Sequence, residues 1–477
     1  MRRHILGCVV MLMVCPAGSS QALAGEVPAK KVRADQVPAN EDRIAGRWEG
    51  AFVRLNSIQT VGLDITTAGG VARGTYDIPD LGLYGEPLAE VASGPAEAAS
   101  TAPTFRFKLL YGTFAMHVHG DIAEMTGVNA AWDPPVALHL KRVPTAPPSP
   151  VREEIRFRNG SVSLAGTLLK PRTPGPHAAI VLVHGSGAQS RTQWTYRSLG
   201  EIFARRGIAA LLYDKRGVGA STGDTEAASF DDLAGDAAAA FELLAHRSDI
   251  DRNKIGMLGS SQGGWLAPLA ATRLRKVAFL ILNKGAAVGV EEQEVERVEY
   301  GMRSEGKFTE PEIAEAVAYT RLVFRVAYSG GGDSGDGWPE LRAATARAKE
   351  ARWSDQVQLA ESATDLEGWR LQRFDPAPIL KRTRIPVLAL FGEKDTLVPP
   401  AENAELMAAF LREAGNRDVT IRIIPGLGHS SFAGQSLRGG DWDWPDGYWV
   451  WDRQSPAFLE TVLAWLSGHL GSGQTAR

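Results

Sequence analysis

The pattern Gly-x-Ser-x-Gly occurs twice in this chain, as Gly219-Ala220-Ser221-Thr222-Gly223 and as Gly259-Ser260-Ser261-Gln262-Gly263. A serine hydroxyl is a poor nucleophile at neutral pH and attacks an acyl carbonyl only with a base beside it. The pattern serves that chemistry where a strand ends abruptly in a tight turn and a helix follows at once, lifting the hydroxyl off the sheet edge. Glycines flank such a turn because side chains there would collide with the neighbouring strand and helix, and the turn strains the backbone. Ser261 has this context: Lys254-Ile255-Gly256-Met257-Leu258 leads in as a strand and a helical pattern leads out from Gln262. Ser221 lies in the loop that starts at Asp214, several residues past its strand, and no helix follows at once. Ser261 is the expected nucleophile.

In a strand–turn–helix architecture of this kind the chain order is serine, acid, histidine. Of nine histidines only His429 and His469 follow Ser261. His469 stands at the end of the last helical pattern, whereas His429 lies in a loop directly after the strand pattern Val419–Ile424. A loop in that place brings a general base within reach of the serine. The orienting carboxylate belongs on the loop after Pro386–Phe391, which offers both Glu393 and Asp395. Acyl transfer also needs N–H donors aimed at the developing oxyanion. The amide of Gln262, at a helix start, is one. The loop His184-Gly185-Ser186-Gly187 offers the Ser186 amide as a second.

Elements must hold these groups. Short, nearly all-apolar runs at Ala179–Val183, Ile208–Tyr213, Ile255–Leu258, Val277–Leu282 and Pro386–Phe391 read as strands buried on both faces. Helical patterns at Thr195–Arg206, Phe230–His246, Gln262–Leu274, Glu402–Glu413 and Pro456–His469 lie between or after them. The implied class is α/β, a doubly wound, mostly parallel sheet over 151–285 and 376–477. Residues 286–375 are charged and helix-rich and read as a helical cap inserted over the carboxyl ends of the strands. Upstream, 44–143 reads as a small β-barrel-like domain with strands at Gly50–Arg54, Val61–Thr66, Gly74–Asp77, Phe105–Leu110, Ala115–His119 and Val136–Arg142. A Pro-rich linker, 144–150, separates the two, and 25–43 is a polar linker.

Residues 1–24 read as a secretory signal peptide: Arg2-Arg3, an apolar run Ile5–Val14, and cleavage after Ala22-Leu23-Ala24. That implies a periplasmic or secreted protein. Both cysteines, Cys8 and Cys15, fall inside this leader, so neither thiol catalysis nor a thiolate-held metal is expected. With 44% hydrophobic and 22% charged residues the chain is globular, neither a disordered tail nor a multi-span membrane protein. A net charge of −3 supplies no field for nucleic acid and no polybasic membrane footprint.

The motifs His184–Gly187, Tyr213–Ser221, Gly259–Gly264, Gly392–Val398 and Gly428-His429 occur in an order that resembles the α/β-hydrolase superfamily. The likeness is strongest to bacterial exported esterases related to the serine aminopeptidase and acylaminoacyl-peptidase groups, and it covers about 151–470. It implies Ser261, Asp395 and His429 as a triad, with Asp395 preferred to Glu393, and the Asp214/Arg216 loop as a salt-bridged structural turn. It implies a small-molecule ester, or else a short peptide, as substrate, and no cofactor. The segment with Gly46-Arg47-Trp48-Glu49-Gly50 and Tyr84-Gly85-Glu86-Pro87 is similar to a small β domain fused ahead of some of these esterases, with Ala131-Trp132 where that module closes on Gly-x-Trp. His117 and His119 share a strand face without a third metal ligand nearby. The Trp-rich stretch from Asp441 to Trp451 reads equally as a pocket border or as a cover over the sheet edge. The run Glu291, Glu292, Glu294, Glu296 and Glu299 reads first as a solvated helix face, and second as the carboxylate an aminopeptidase needs for a substrate ammonium.

Overall fold

The computed structural model describes residues 44–471, except 55–56, 69–70, 95–103, 110–111, 120, 128–135, 145–148, 331–336 and 434–452. The leader with its cysteines, the polar linker, Ala131-Trp132 and the aromatic stretch 441–451 lie outside the described residues, as do the side chains of His117 and His119. Two compact units are formed, one from Pro150–Ser431 continued at Ser455, the other from the preceding region together with Phe432–Gln454. The sequence reading gave 432–454 to the α/β domain. Its described ends, Phe432–Ala433 and Arg453–Gln454, pair antiparallel and group with the N-terminal unit.

The larger unit is built on eight strands: β1 (Val151–Asn159), β2 (Val162–Lys170), β3 (His177–Val183), β4 (Ile208–Tyr213), β5 (Ile250–Ser260), β6 (Leu280–Asn283), β7 (Val387–Gly392) and β8 (Val419–Ile424). Their spatial order is β1-β2-β4-β3-β5-β6-β7-β8. The first two form an antiparallel hairpin and β2 meets β4 antiparallel; from β4 to β8 all neighbours are parallel. Alternate residues of a strand face opposite sides, and β3 shows why its run is entirely apolar. Ala179, Val181 and Val183 enter one core, whereas Ala178, Ile180 and Leu182 enter the other. Helices α1 (Trp194–Arg205) and α10 (Pro456–Leu470) cover the second face; α2 (Phe230–Ala245), α3 (Gly263–Ala271) and α9 (Pro400–Glu413) cover the first.

Between β6 and β7 the chain inserts α4 (Val290–Glu305), α5 (Glu310–Tyr328), α6 (Trp338–Glu350), α7 (Ala363–Leu371) and the short α8 (Ala377–Leu380). Helix α5 starts at a capping box in which Thr309 and Glu312 satisfy each other's backbone N–H. Its apolar face, with Tyr319, Val323 and Phe324, packs among α4, α6 and α7 and joins the core of the sheet's first face.

The N-terminal unit is a nine-stranded antiparallel sheet around Trp48, Phe52, Phe107, Phe114 and Leu138. Its first strand, Gly46–Arg54, pairs with both the second, Ser57–Ala68, and the last, Ala137–Val143. The sheet's two edges are the consecutive strands Leu83–Pro87 and Ala89–Gly94. Arg47 is buried there and held by Asp64 at 2.7 Å and Asp77 at 2.8 Å. These carboxylates match a guanidinium charge that burial would otherwise leave uncompensated.

Candidate active site

Strand β5 ends at Ser260, and the chain turns through Ser261 into α3. Ser261 has φ of +54°, a left-handed conformation that a side chain rarely adopts. Its own N–H bonds to the Asn283 carbonyl at the end of β6 at 2.9 Å, and its carbonyl accepts from Gly264 at 2.7 Å. The flanking glycines are required by space. A methyl group on Gly259 would stand 1.9 Å from the Gly263 carbonyl oxygen, and one on Gly264 would stand 2.5 Å from the Gly285 Cα.

The loops after β7 and β8 deliver the other two groups. His429 Nε2 lies 3.0 Å from Ser261 Oγ, and His429 Nδ1 lies 2.9 Å from Asp395 Oδ2. Asp395 is fully buried, and its Oδ1 accepts from the amides of Leu397 at 2.9 Å and Val398 at 3.0 Å. Burial alone would raise this carboxyl. The neighbouring His429, aided by the Lys284 ammonium and the Val398 amide, holds it below its ordinary value, so it is an anion. A buried anion on Nδ1 fixes the tautomer with the proton there and leaves Nε2 to accept from the serine. Glu393 serves elsewhere, as its exposed carboxylate accepts from the Gly426 amide at 2.8 Å.

The loop after β3 lies against this turn, since a methyl on Gly185 would meet the Ser261 Cβ at 3.5 Å. Gly185 donates to the Tyr196 hydroxyl, and Gln189 Nε2 donates to the Ser186 carbonyl. The amides of Ser186 and Gln262 donate to no acceptor among the described residues. The ring nitrogens of His184 find no partner at hydrogen-bonding geometry among the described residues. The ring is wedged edge-on between Tyr196 and Tyr213 at 4.8 and 4.6 Å. Burial, and then the Lys215 charge, push it down to about 3, so it is neutral.

The remaining candidates have structural work. Ser221 donates to the Asp214 carbonyl at 2.8 Å and accepts from the Ala165 amide at 2.9 Å, stitching the loop after β4 to β2. Asp214 binds Arg191, and Arg216 binds Asp236 at 2.7 Å on α2. His469 stacks on Trp465 and faces Asp418, far along α10 from the serine turn in sequence. In the acidic run Glu292, Glu294 and Glu299 pair with Arg321, Arg297 and Arg303, and Glu296 accepts from Asn403. Among the described residues no cluster of three His, Cys, Asp or Glu has metal-site geometry, and no helix is long and apolar enough to cross a membrane.

Two buried lysines escaped the sequence reading. Lys215 sits behind the β3 loop, and Lys284 follows β6 with φ of +58° and donates to Ser431 Oγ at 3.1 Å. Burial brings the Lys284 ammonium down to about 7 against the pull of Asp395. Their only signal in the sequence is a lysine one or two residues past an apolar strand.

Residues 174–435, more than half of the chain, match the family described as serine aminopeptidase, S33. The chain belongs to that family. The match runs from the third strand of the larger unit's sheet to the loop beyond His429 and takes in all five residues singled out for chemistry. This S33 member is 26% identical over 278 residues to Esterase EstD of Thermotoga maritima, covering 57% of this chain and 59% of that relative's length. Among solved structures it is similar to an esterase of Pyrococcus furiosus, 15% identical, over 59% of this chain and 84% of the other with a TM-score of 0.40. It is also similar to the α/β hydrolase GrgF from Penicillium sp., 19% identical, over 67% and 99%, with a TM-score of 0.41. The strand order and the family place the larger unit in the α/β-hydrolase fold, as the motif order led us to expect.

Proposed function

We propose that this protein is a serine hydrolase of carboxylic esters. The observation that carries the reading is the hydrogen-bonded line Asp395–His429–Ser261, at 2.9 and 3.0 Å, ending on a serine in a strained left-handed turn. Ser261 Oγ attacks the acyl carbonyl while His429 Nε2 takes its proton. The Ser186 and Gln262 amides stabilise the oxyanion, each donor worth about 3–4 kcal/mol. His429 returns the proton to the leaving alkoxide, and water then clears the acyl-enzyme by the same steps.

The name of the family raises the exopeptidase reading, in which the same triad cuts a peptide and a carboxylate grips the substrate ammonium. Of the five glutamates in the acidic run four are engaged, three by arginines and one by an asparagine, which favours the ester. The esterase relative points the same way. Export through a cleaved leader is part of the reading and rests on residues 1–24.

The deciding experiment measures p-nitrophenyl acetate hydrolysis beside release from aminoacyl anilides, with fluorophosphonate labelling. Ester turnover, no anilide release and label on Ser261 are expected. Folded protein that takes no label refutes the serine mechanism; faster anilide release refutes the ester preference. Ser261→Ala is expected to lower turnover by at least about three orders of magnitude without unfolding.

A further inference from the structure

The Lys215 side chain is buried, and its ammonium has three N–H donors and no acceptor. It donates to the Gly185 carbonyl at 2.9 Å, the Gly187 carbonyl at 3.3 Å and Gln262 Oε1 at 2.9 Å. One cation therefore ties the loop after β3 to the residue that follows the serine.

The peptide plane gives this contact a direction. In a trans peptide the C=O of one residue and the N–H of the next point opposite ways. Holding the Gly185 carbonyl against Lys215 thus aims the Ser186 N–H away from Lys215. That loop adjoins the Ser261 Cβ, and the Ser186 amide is without an acceptor among the described residues. On the other side, Gln262 Oε1 accepts from the Lys215 ammonium while Gln262 Nε2 donates to Gln372 Oε1, at the end of α7, at 3.2 Å. The side chain above the second unpaired amide is thereby fixed at both ends.

Lys215 itself has little freedom. Its N–H bonds to the Gln189 carbonyl, and its carbonyl accepts from Val218. The residues on either side are buried too and are matched elsewhere, Asp214 by Arg191 and Arg216 by Asp236, so neither competes for the Lys215 ammonium. Glycine at 185 and 187 keeps both carbonyls approachable, and Gly187 takes φ of +77°.

We propose that Lys215 is a positioning residue that aims the Ser186 amide and secures Gln262, so that the oxyanion site is formed before substrate arrives. This rests on the ester-hydrolase reading above. The role touches the transition state more than the bound ester, so it acts on kcat.

The test compares wild type with Lys215→Met on an oxoester and on its thionoester, in which sulfur replaces the carbonyl oxygen. Aimed N–H donors favour oxygen, which forms the stronger and shorter hydrogen bonds. Removing one donor outright costs about 100–1,000-fold in kcat, so a misaimed one is expected to cost about 10–100-fold. Lys215→Met should lose that much on the oxoester with KM within about threefold, and the oxoester-to-thionoester ratio should fall about tenfold or more. Lys215→Gln keeps two donors, folds more readily, and should fall between. An active wild type with an unchanged ratio in either folded variant overturns the role of Lys215 alone. A loss confined to KM does the same. A wild type that hydrolyses no ester overturns the reading beneath it as well.

Discussion

Replacing Asp395 by Asn changes one charge and almost no volume. The magnitude follows from the pair itself. In the proposed mechanism His429 takes the serine proton and becomes an imidazolium 2.9 Å from a fully buried carboxylate. At an effective dielectric constant of about 20, two unit charges at that separation attract by about 6 kcal/mol. Each 1.36 kcal/mol is a factor of ten in rate, so the loss is about four powers of ten in kcat. The tautomer points the same way, for Asn turns its NH₂ toward Nδ1, moves the ring proton to Nε2, and leaves nothing to accept from Ser261. Asn Oδ1 still accepts from Leu397 and Val398, so the loop after β7 should keep its shape. Asp395 is shielded from solvent, so KM should hold within about threefold. The assay is steady-state ester hydrolysis with a thermal melt on the same preparation. A folded Asp395→Asn that keeps more than a tenth of wild-type kcat, or that loses only KM, refutes the reasoning. Glu393→Gln is the control and should stay within about twofold, since among the described residues the Glu393 carboxylate meets the Gly426 amide of its neighbouring turn and no triad group.

Other variants separate structure from chemistry. Ser221→Ala removes two buried hydrogen bonds and should cost about 1–3 kcal/mol in a melt while kcat stays within about threefold; a collapse of kcat in folded protein would reverse the roles of the two serines. Lys284 titrates at about 7 in the fold against 10.5 unfolded, so the unfolded chain alone holds the proton between those values and stability rises with pH across them. At pH 7 and below, burying its charge costs on the order of 4–5 kcal/mol at 1.36 kcal/mol per pH unit. Lys284→Met should therefore raise the melting temperature most at or below pH 7 and progressively less toward pH 10; a gain that does not depend on pH would refute that burial cost.

The parallel strands and their helices were legible because burial on both faces leaves no room for polar residues. Ala179–Val183 and Ile208–Tyr213 lie inside or match β3 and β4, and Phe230–His246 overshoots α2 by one residue. Val277–Leu282 begins too early, because apolar content alone does not mark where β6 enters the sheet at Leu280. The hairpin β1–β2 went unread, since β1 is an edge strand rich in Arg and Glu in which Phe157 is the one fully buried residue. In the N-terminal sheet the unread strands are Leu83–Pro87, Ala89–Gly94 and Ile122–Gly127. The first two are edges, where Pro and Gly are tolerated and the apolar alternation fades. At the site, residue type and chain order pointed to Ser261, His429 and the two carboxylates, but the choice of Asp395 needed the family likeness. The buried lysines were hidden because a lysine in a loop looks like solvent-facing charge until the loop folds inward.

Gly264 and Gly285 face each other where α3 passes the turn after β6, and a methyl group on either would come within 2.7 Å of the other's backbone. Two main chains in direct contact leave no side chain to enlarge or trim. The height of Ser261 above the sheet is thus set by a joint that point substitution can break but scarcely adjust. Any adjustment of how Ser261 is presented has to come from the neighbouring loops after β3 and β8, while this joint stays as it is.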